Sequence, residues 1–134
     1  MNALEFRFAF YARDFEQSVG FYQNTLGMKY VGGWDRQDGK GALLSAGGTA
    51  VIEIYGAAQG KRYEGPSPAA LNLALRFENV LEVDSFHQRL ASLGVERIEP
   101  PQDRAWGHRS FIVHDPDGIP IHIYCEIQNS PSSL

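Results

Sequence analysis

The sequence predicts an α+β fold: two tandem βαβββ modules in which a curved, mixed β-sheet lines a cleft and the helices cover its outer face. Three observations carry this. A strand, a capped helix and a glycine stop occur in that order twice, with caps at Asp14 and Asn79 and stops at Gly27 and Gly94. Each helix is followed by three short β-type runs separated by Gly, Asp and Pro turn signals. The strands alternate apolar and polar residues, so one face packs and the other stays open.

The first strand, "FRFAFY", sets Phe6, Phe8 and Phe10 on one face and Arg7, Ala9 and Tyr11 on the other. Asp14 with Gln17 has the form of a helix cap with a third-position amide. Phe15, Val19, Tyr22 and Leu26 then recur at helical spacing until Gly27, where a left-handed C-cap is wanted. The runs "KYVGGW", "ALLSA" and "AVIEIY" follow as strands, with turns at Asp38-Gly39 and Gly47-Gly48.

The second half repeats the plan. Leu71, Leu73, Leu75 and Phe77 oppose Asn72, Ala74 and Arg76; Asn79 with Glu82 starts a helix whose stripe is Val83, Phe86, Leu90 and Leu93. Gly94 stops it. Strands are expected at "VERI", "RSFIVH" and "IPIHIY", with a loop at Pro100-Pro101 and a turn over Asp115-Pro116-Asp117-Gly118. The expected organisation is one domain over 1–134: module one at 1–55, a linker at 56–68, module two at 69–127 and a frayed tail at 128–134.

Composition narrows the function. A net charge of −4 with scattered Lys and Arg argues against nucleic acid as a partner. The single cysteine, Cys125, excludes an internal disulfide and a thiolate-rich zinc site, and its alternation with Ile121 and Ile123 makes it a core thiol. No apolar run reaches the roughly 18 residues of a spanning helix, and the N-terminus has no signal-peptide pattern, so no membrane and a cytoplasmic location are expected.

The open faces carry the candidate chemistry. Val51, Glu53 and Tyr55 share one face, as do Pro120, His122 and Tyr124. Glu53 and His122 hold equivalent places in the two halves, and so do Arg7 and Asn72. The repeat therefore points to a mid-strand polar quartet, Arg7, Glu53, Asn72 and His122, with Tyr11, Tyr55 and Tyr124 beside it. A solvated sheet face is the plainer account of the same pattern. His114 and His108 read as turn and loop residues, and His87 falls outside the stripe of its helix. Asp115 and Asp117 read as setters of hairpin geometry, since Asx side chains bond their own backbone.

The tandem plan, the "D…S…FY…LGM" of the first helix, "IEI" before the linker and "WGHRSFIVHDPDG…IHI" near the end resemble the vicinal oxygen chelate superfamily. That group holds glyoxalase I, fosfomycin-resistance transferases, extradiol dioxygenases and bleomycin-resistance proteins. The likeness runs over nearly the whole chain. In metal-using members it implies ligands on the first and last strands of each module, and here those places hold Arg7, Glu53, Asn72 and His122. Arginine has no lone pair to offer and asparagine only an amide oxygen. If an ion bound, Glu53 and His122 alone would hold it, fewer than the three protein ligands usual at a catalytic zinc. The set therefore resembles the bleomycin-resistance branch, which lacks the metal and sequesters a drug in an aromatic-lined cleft shared by two subunits. Trp34 and Trp106 are the candidate aromatics, each with an equally plain role in packing.

Two functions follow as expectations. One is a homodimer that binds a small molecule with no cofactor. The other is a divalent-metal-dependent lyase, isomerase or dioxygenase using Glu53 and His122, with Glu53 as a candidate acid–base group in a metal-free variant.

Overall fold

The structure, a computed structural model, describes residues 1–66 and 71–127. The expected frayed tail at 128–134 lies outside the described residues, as does the end of the expected linker. The chain forms two compact units, Met1–Pro68 and Ala69–Leu134. No described helix is long and apolar enough to cross a membrane.

In the first unit, strand β1 (Phe6–Tyr11) leads into helix α1 (Phe15–Gly20) and a π-helical turn (Phe21–Thr25), followed by β2 (Lys29–Arg36), β3 (Gly39–Gly47) and β4 (Ala50–Gly56). The sheet order is β1-β4-β3-β2, with β1 parallel to β4 and the other pairs antiparallel. Asp14 caps α1 by accepting a hydrogen bond from the Gln17 backbone N–H at 3.1 Å. Gly27 follows at φ 83°, the left-handed geometry that glycine adopts without penalty. Tyr22 is fully buried and packs on Phe10 at 5.9 Å between ring centroids. Ile52 and Ile54 also face inward. A side chain such as Ile54, removed wholly from water, contributes roughly 1.5–3 kcal/mol.

In the second unit, β5 (Leu73–Arg76) leads to helix α2 (Val80–Ser92), then β6 (Gln102–Asp103), β7 (His108–His114) and β8 (Pro120–Glu126). The order β5-β8-β7-β6 repeats that of the first sheet, again with its one parallel pair joining first and last strands. Asn79 caps α2 by accepting from the Glu82 N–H at 2.9 Å, and Glu82 accepts from the Glu78 N–H at 3.3 Å. At the other end, Gly94 N–H donates to Ala91 C=O and Val95 N–H to Leu90 C=O, a Schellman motif that satisfies two otherwise orphaned carbonyls. Cys125 is buried beside the inward isoleucines of β8, and burial pushes its thiol above the ordinary value. The Asp115 carboxylate accepts from the N–H groups of Asp117 and Ile119, both at 2.8 Å, and so shapes the β7–β8 turn.

Several expectations need correction. "VERI" is not a strand: Arg97 sits at φ 59°, which breaks an extended run, and the role of second strand of the unit passes to Gln102–Asp103. Burial along the two apolar faces is graded. Phe10 is 6% exposed but Phe6 is 78%, and Leu71 is 46%. Leu93 lies outside the α2 stripe at 56% exposed, while His87 lies inside it. The His87 ring meets Phe111 edge-on at 5.1 Å. Its Nε2 is buried with no hydrogen-bond partner among the described residues. His108 opens β7 instead of lying in a loop.

Candidate functional site

Strand register lines up the aromatic residues of the first unit. Trp34 of β2 is the cross-strand partner of Gly41, Gly41 of Tyr55, and Tyr55 of Tyr11. Partners across a sheet share a face, so these positions form one row spanning all four strands. Glycine at 41 lets the row close up. A Cβ there would lie 2.2 Å from the Trp34 indole, so the ring occupies the space a side chain would need. The indole reaches Tyr55 at 6.0 Å, Tyr55 meets Tyr11 at 5.1 Å, and Tyr63 stacks on Tyr11 at 4.9 Å with the planes 13° apart. A concavity of about 370 Å³ opens over this row, lined by Tyr11, Trp34, Arg36, Asp38, Lys40 and Tyr55.

Glu53 sits two residues before Tyr55 on the same face, its side chain only 12% exposed. Arg7 Nη1 lies 3.5 Å from Glu53 Oε1, and Arg7 Nε engages Glu5, so one guanidinium bridges two carboxylates. Burial, and after it a hydrogen bond to Glu53, holds the Tyr55 phenol above its ordinary value.

The second unit has a different face at equivalent places. Arg76, Tyr124, Ser110 and Gln102 form its cross-strand row. Arg104 donates through Nε to Ser110 Oγ at 2.9 Å, and Arg76 pairs with Glu126 at 3.3 Å. Tyr124 stacks on His108, centroids 4.6 Å apart. His122 points to the same side of β8 as Tyr124 and is partly buried. Burial, then the charges of Arg104 and His114, hold its imidazole below the ordinary value.

The sequence-predicted residues therefore divide between the units. Arg7, Tyr11, Trp34, Glu53 and Tyr55 lie together on the first sheet, whereas Asn72, Trp106, His122 and Tyr124 belong to the second unit. Asn72 precedes β5 instead of sitting mid-strand, is exposed, and shares no hydrogen bond with His122 among the described residues. Trp106 lies in the β6–β7 turn, 57% exposed. Tyr63, Arg104 and the stacking role of His108 were missed. Tyr63 sits in a stretch without periodicity, and only its aromatic character could have flagged it. Among the described residues, no group of three or more His, Cys, Asp or Glu side chains is placed to hold a metal ion.

Two open sheets with parallel outer pairs, each backed by one helix and made by one repeated plan, define a tandem βαβββ protein. The chain belongs to the Glyoxalase/Bleomycin resistance protein/Dioxygenase superfamily, whose family model matches residues 6–123. Among solved structures it is similar to TnmS3, an antibiotic binding protein from Streptomyces sp. CB03234, at 23% identity and a TM-score of 0.72, covering 93% of this chain and 97% of that one. It is also similar to a glyoxalase/bleomycin resistance protein/dioxygenase from Nocardioides, at 21% identity and a TM-score of 0.73, covering 100% and 91%. A third likeness is to lactoylglutathione lyase from Agrobacterium tumefaciens, at 20% identity and a TM-score of 0.66, covering 93% and 94%. At these identities the likeness establishes the fold alone. No curated protein matches the chain.

Proposed function

We propose that the protein binds a small aromatic molecule, without a catalytic metal, in a cleft that a second copy of the chain completes. The observation that carries this reading is the Trp34–Tyr55–Tyr11 row beneath an open concavity. Tilted rings offer π-faces to an aromatic ligand, and large rigid side chains lose little entropy on binding. The antibiotic binding activity of TnmS3, a protein of the same fold, supports a sequestering role.

A divalent ion, as used by some superfamily members, fits the residues present poorly. The ligand position on β1 holds Arg7, a permanent cation whose guanidinium already lies against Glu53, the carboxylate an ion would need. Pairing into a homodimer is supported by Leu4, Phe6 and Leu71, apolar side chains left exposed on the single chain. On the first unit the pocket then comprises Arg7, Tyr11, Trp34, Glu53 and Tyr55.

One observation favours a second reading. Glu53 is sheltered and hydrogen-bonded to the Tyr55 hydroxyl, an arrangement suited to metal-free acid–base chemistry on a bound ligand.

Calorimetric titration separates the readings. The binding reading expects 1-naphthol, as an aromatic probe, to bind and to lose affinity in Trp34→Ala, with no stoichiometric heat from Zn²⁺ or Mn²⁺. Metal binding abolished by Glu53→Ala or His122→Ala, with no response to the naphthol, would overturn it. Light scattering that gave one chain per particle at micromolar concentration would refute the dimer.

A further inference from the structure

A second, smaller concavity of about 150 Å³ adjoins the aromatic one. Both are lined by Lys40 and Ala57. Where the larger hollow presents rings, the smaller presents cations: Arg13, Lys40, Lys61 and Arg62. Its two acids are already engaged. Asp14 accepts the Gln17 N–H as the cap of α1, and Glu16 pairs with Lys40 at 2.7 Å. No ion pair joins Arg13, Lys61 or Arg62 to a carboxylate among the described residues. Four cations and two carboxylates thus line one hollow, an excess of two positive charges, in a protein whose net charge is negative. Like charges gathered this way repel one another, and an external anion relieves that repulsion.

We infer that the first unit takes an aromatic molecule bearing a carboxylate or phosphate, its ring on the Trp34–Tyr55–Tyr11 row and its anionic group at Arg13, Lys61 and Arg62. This rests on the aromatic-binding reading and adds to it the charge of the ligand. Lys40 sits on the boundary. Its ammonium lies 5.0 Å from the Phe15 ring centroid and is held by Glu16, so it separates the two hollows without filling either. The ring supplies most of the contact area, and the anion supplies orientation and selectivity. The cations are exposed, so the gain they give is modest and sensitive to salt.

The test compares four probes by calorimetry at low salt: 1-naphthol, 1-naphthoate, 1-naphthyl phosphate and inorganic phosphate. At least one of the naphthyl anions should bind about tenfold more tightly than 1-naphthol, in keeping with a few exposed ion pairs. Which of the two leads decides between a carboxylate and a phosphate. In the combined variant Arg13→Ala, Lys61→Ala, Arg62→Ala the preference should vanish while 1-naphthol affinity stays the same. All three side chains are exposed, so the variant should keep its melting temperature, and that is checked first. Equal affinity for 1-naphthol and both anions, or a preference that survives in the variant, overturns the inference and leaves the aromatic reading intact. Inorganic phosphate binding as tightly as 1-naphthyl phosphate also overturns it, since the hollow would then be an anion site independent of the rings. If no aromatic probe binds, or if Trp34→Ala changes none of the affinities, both readings fall.

Discussion

Replacing Asp115 by alanine isolates what the β7–β8 turn contributes. One carboxylate oxygen of Asp115 accepts two backbone N–H groups at 2.8 Å, from Asp117 and from Ile119. Ile119 is fully buried and Asp115 is 5% exposed, so water cannot readily replace the lost acceptor at the Ile119 N–H. A hydrogen bond to a charged group is worth about 1.5–3 kcal/mol, and the partly exposed Asp117 N–H adds about 0.5–1 kcal/mol. The expected loss is therefore about 2–4 kcal/mol, or a fall in Tm of roughly 6–15 °C for a chain of this length. Asp115→Asn keeps an oxygen in the same place and should cost under about 1.5 kcal/mol. Urea denaturation followed by circular dichroism measures both. Asparagine proving as costly as alanine would refute the reasoning, because charge and not the pair of hydrogen bonds would then be responsible. So would an alanine variant with unchanged stability.

Three further outcomes follow from the same geometry. His122 is held below its ordinary value of 6.5, so between that depressed value and 6.5 the unfolded chain binds more protons than the folded one. Its contribution to stability is thus fully present above pH 6.5 and is lost as pH falls through the window; His122→Gln should flatten that part of a stability–pH curve, and an unchanged slope would count against the assignment. Gly94→Ala, at φ 81° with open space around it, should cost about 1 kcal/mol through backbone strain alone, and a stability equal to wild type would show that the α2 stop adjusts freely. Gly41→Ala, whose Cβ would lie 2.2 Å from the Trp34 indole, should displace that ring and change the tryptophan emission, whereas an unchanged spectrum would mean that the indole does not pack over position 41.

The sequence was most informative where a periodic pattern ran long enough to be read twice. The caps at Asp14 and Asn79, the stops at Gly27 and Gly94, and the alternation of "AVIEIY" and "IPIHIY" each have a local physical cause, and each holds in the structure. β6 was misplaced because two residues carry no periodicity, and the left-handed Arg97 that ends "VERI" is not a residue type that announces positive φ. His87 was legible after all: with Val83, Phe86 and Leu90 it completes the i, i+3, i+4, i+7 set, and only its polarity argued against an inward place. In the candidate site, alternation gave the faces of Glu53 and Tyr55 but not the row that joins Trp34 to Tyr11. That row depends on pairing register, which is set between strands and not within one. The cationic hollow stayed hidden because Arg13 and Lys61 are far apart in the chain and meet only through the fold.

Gly41 shows how much an absent side chain can decide. The Trp34 indole lies where a Cβ at 41 would project, so the aromatic row of the first sheet exists in this form only while that position carries no carbon beyond Cα. Any larger residue there would lift the indole off β3 and part it from Tyr55, replacing a continuous shelf with a step. If the row binds a ligand as proposed, a change at position 41 would alter the surface offered to that ligand without touching any residue that meets it. The form of that surface is set partly by the backbone, at a place that a survey of contacting side chains would pass over.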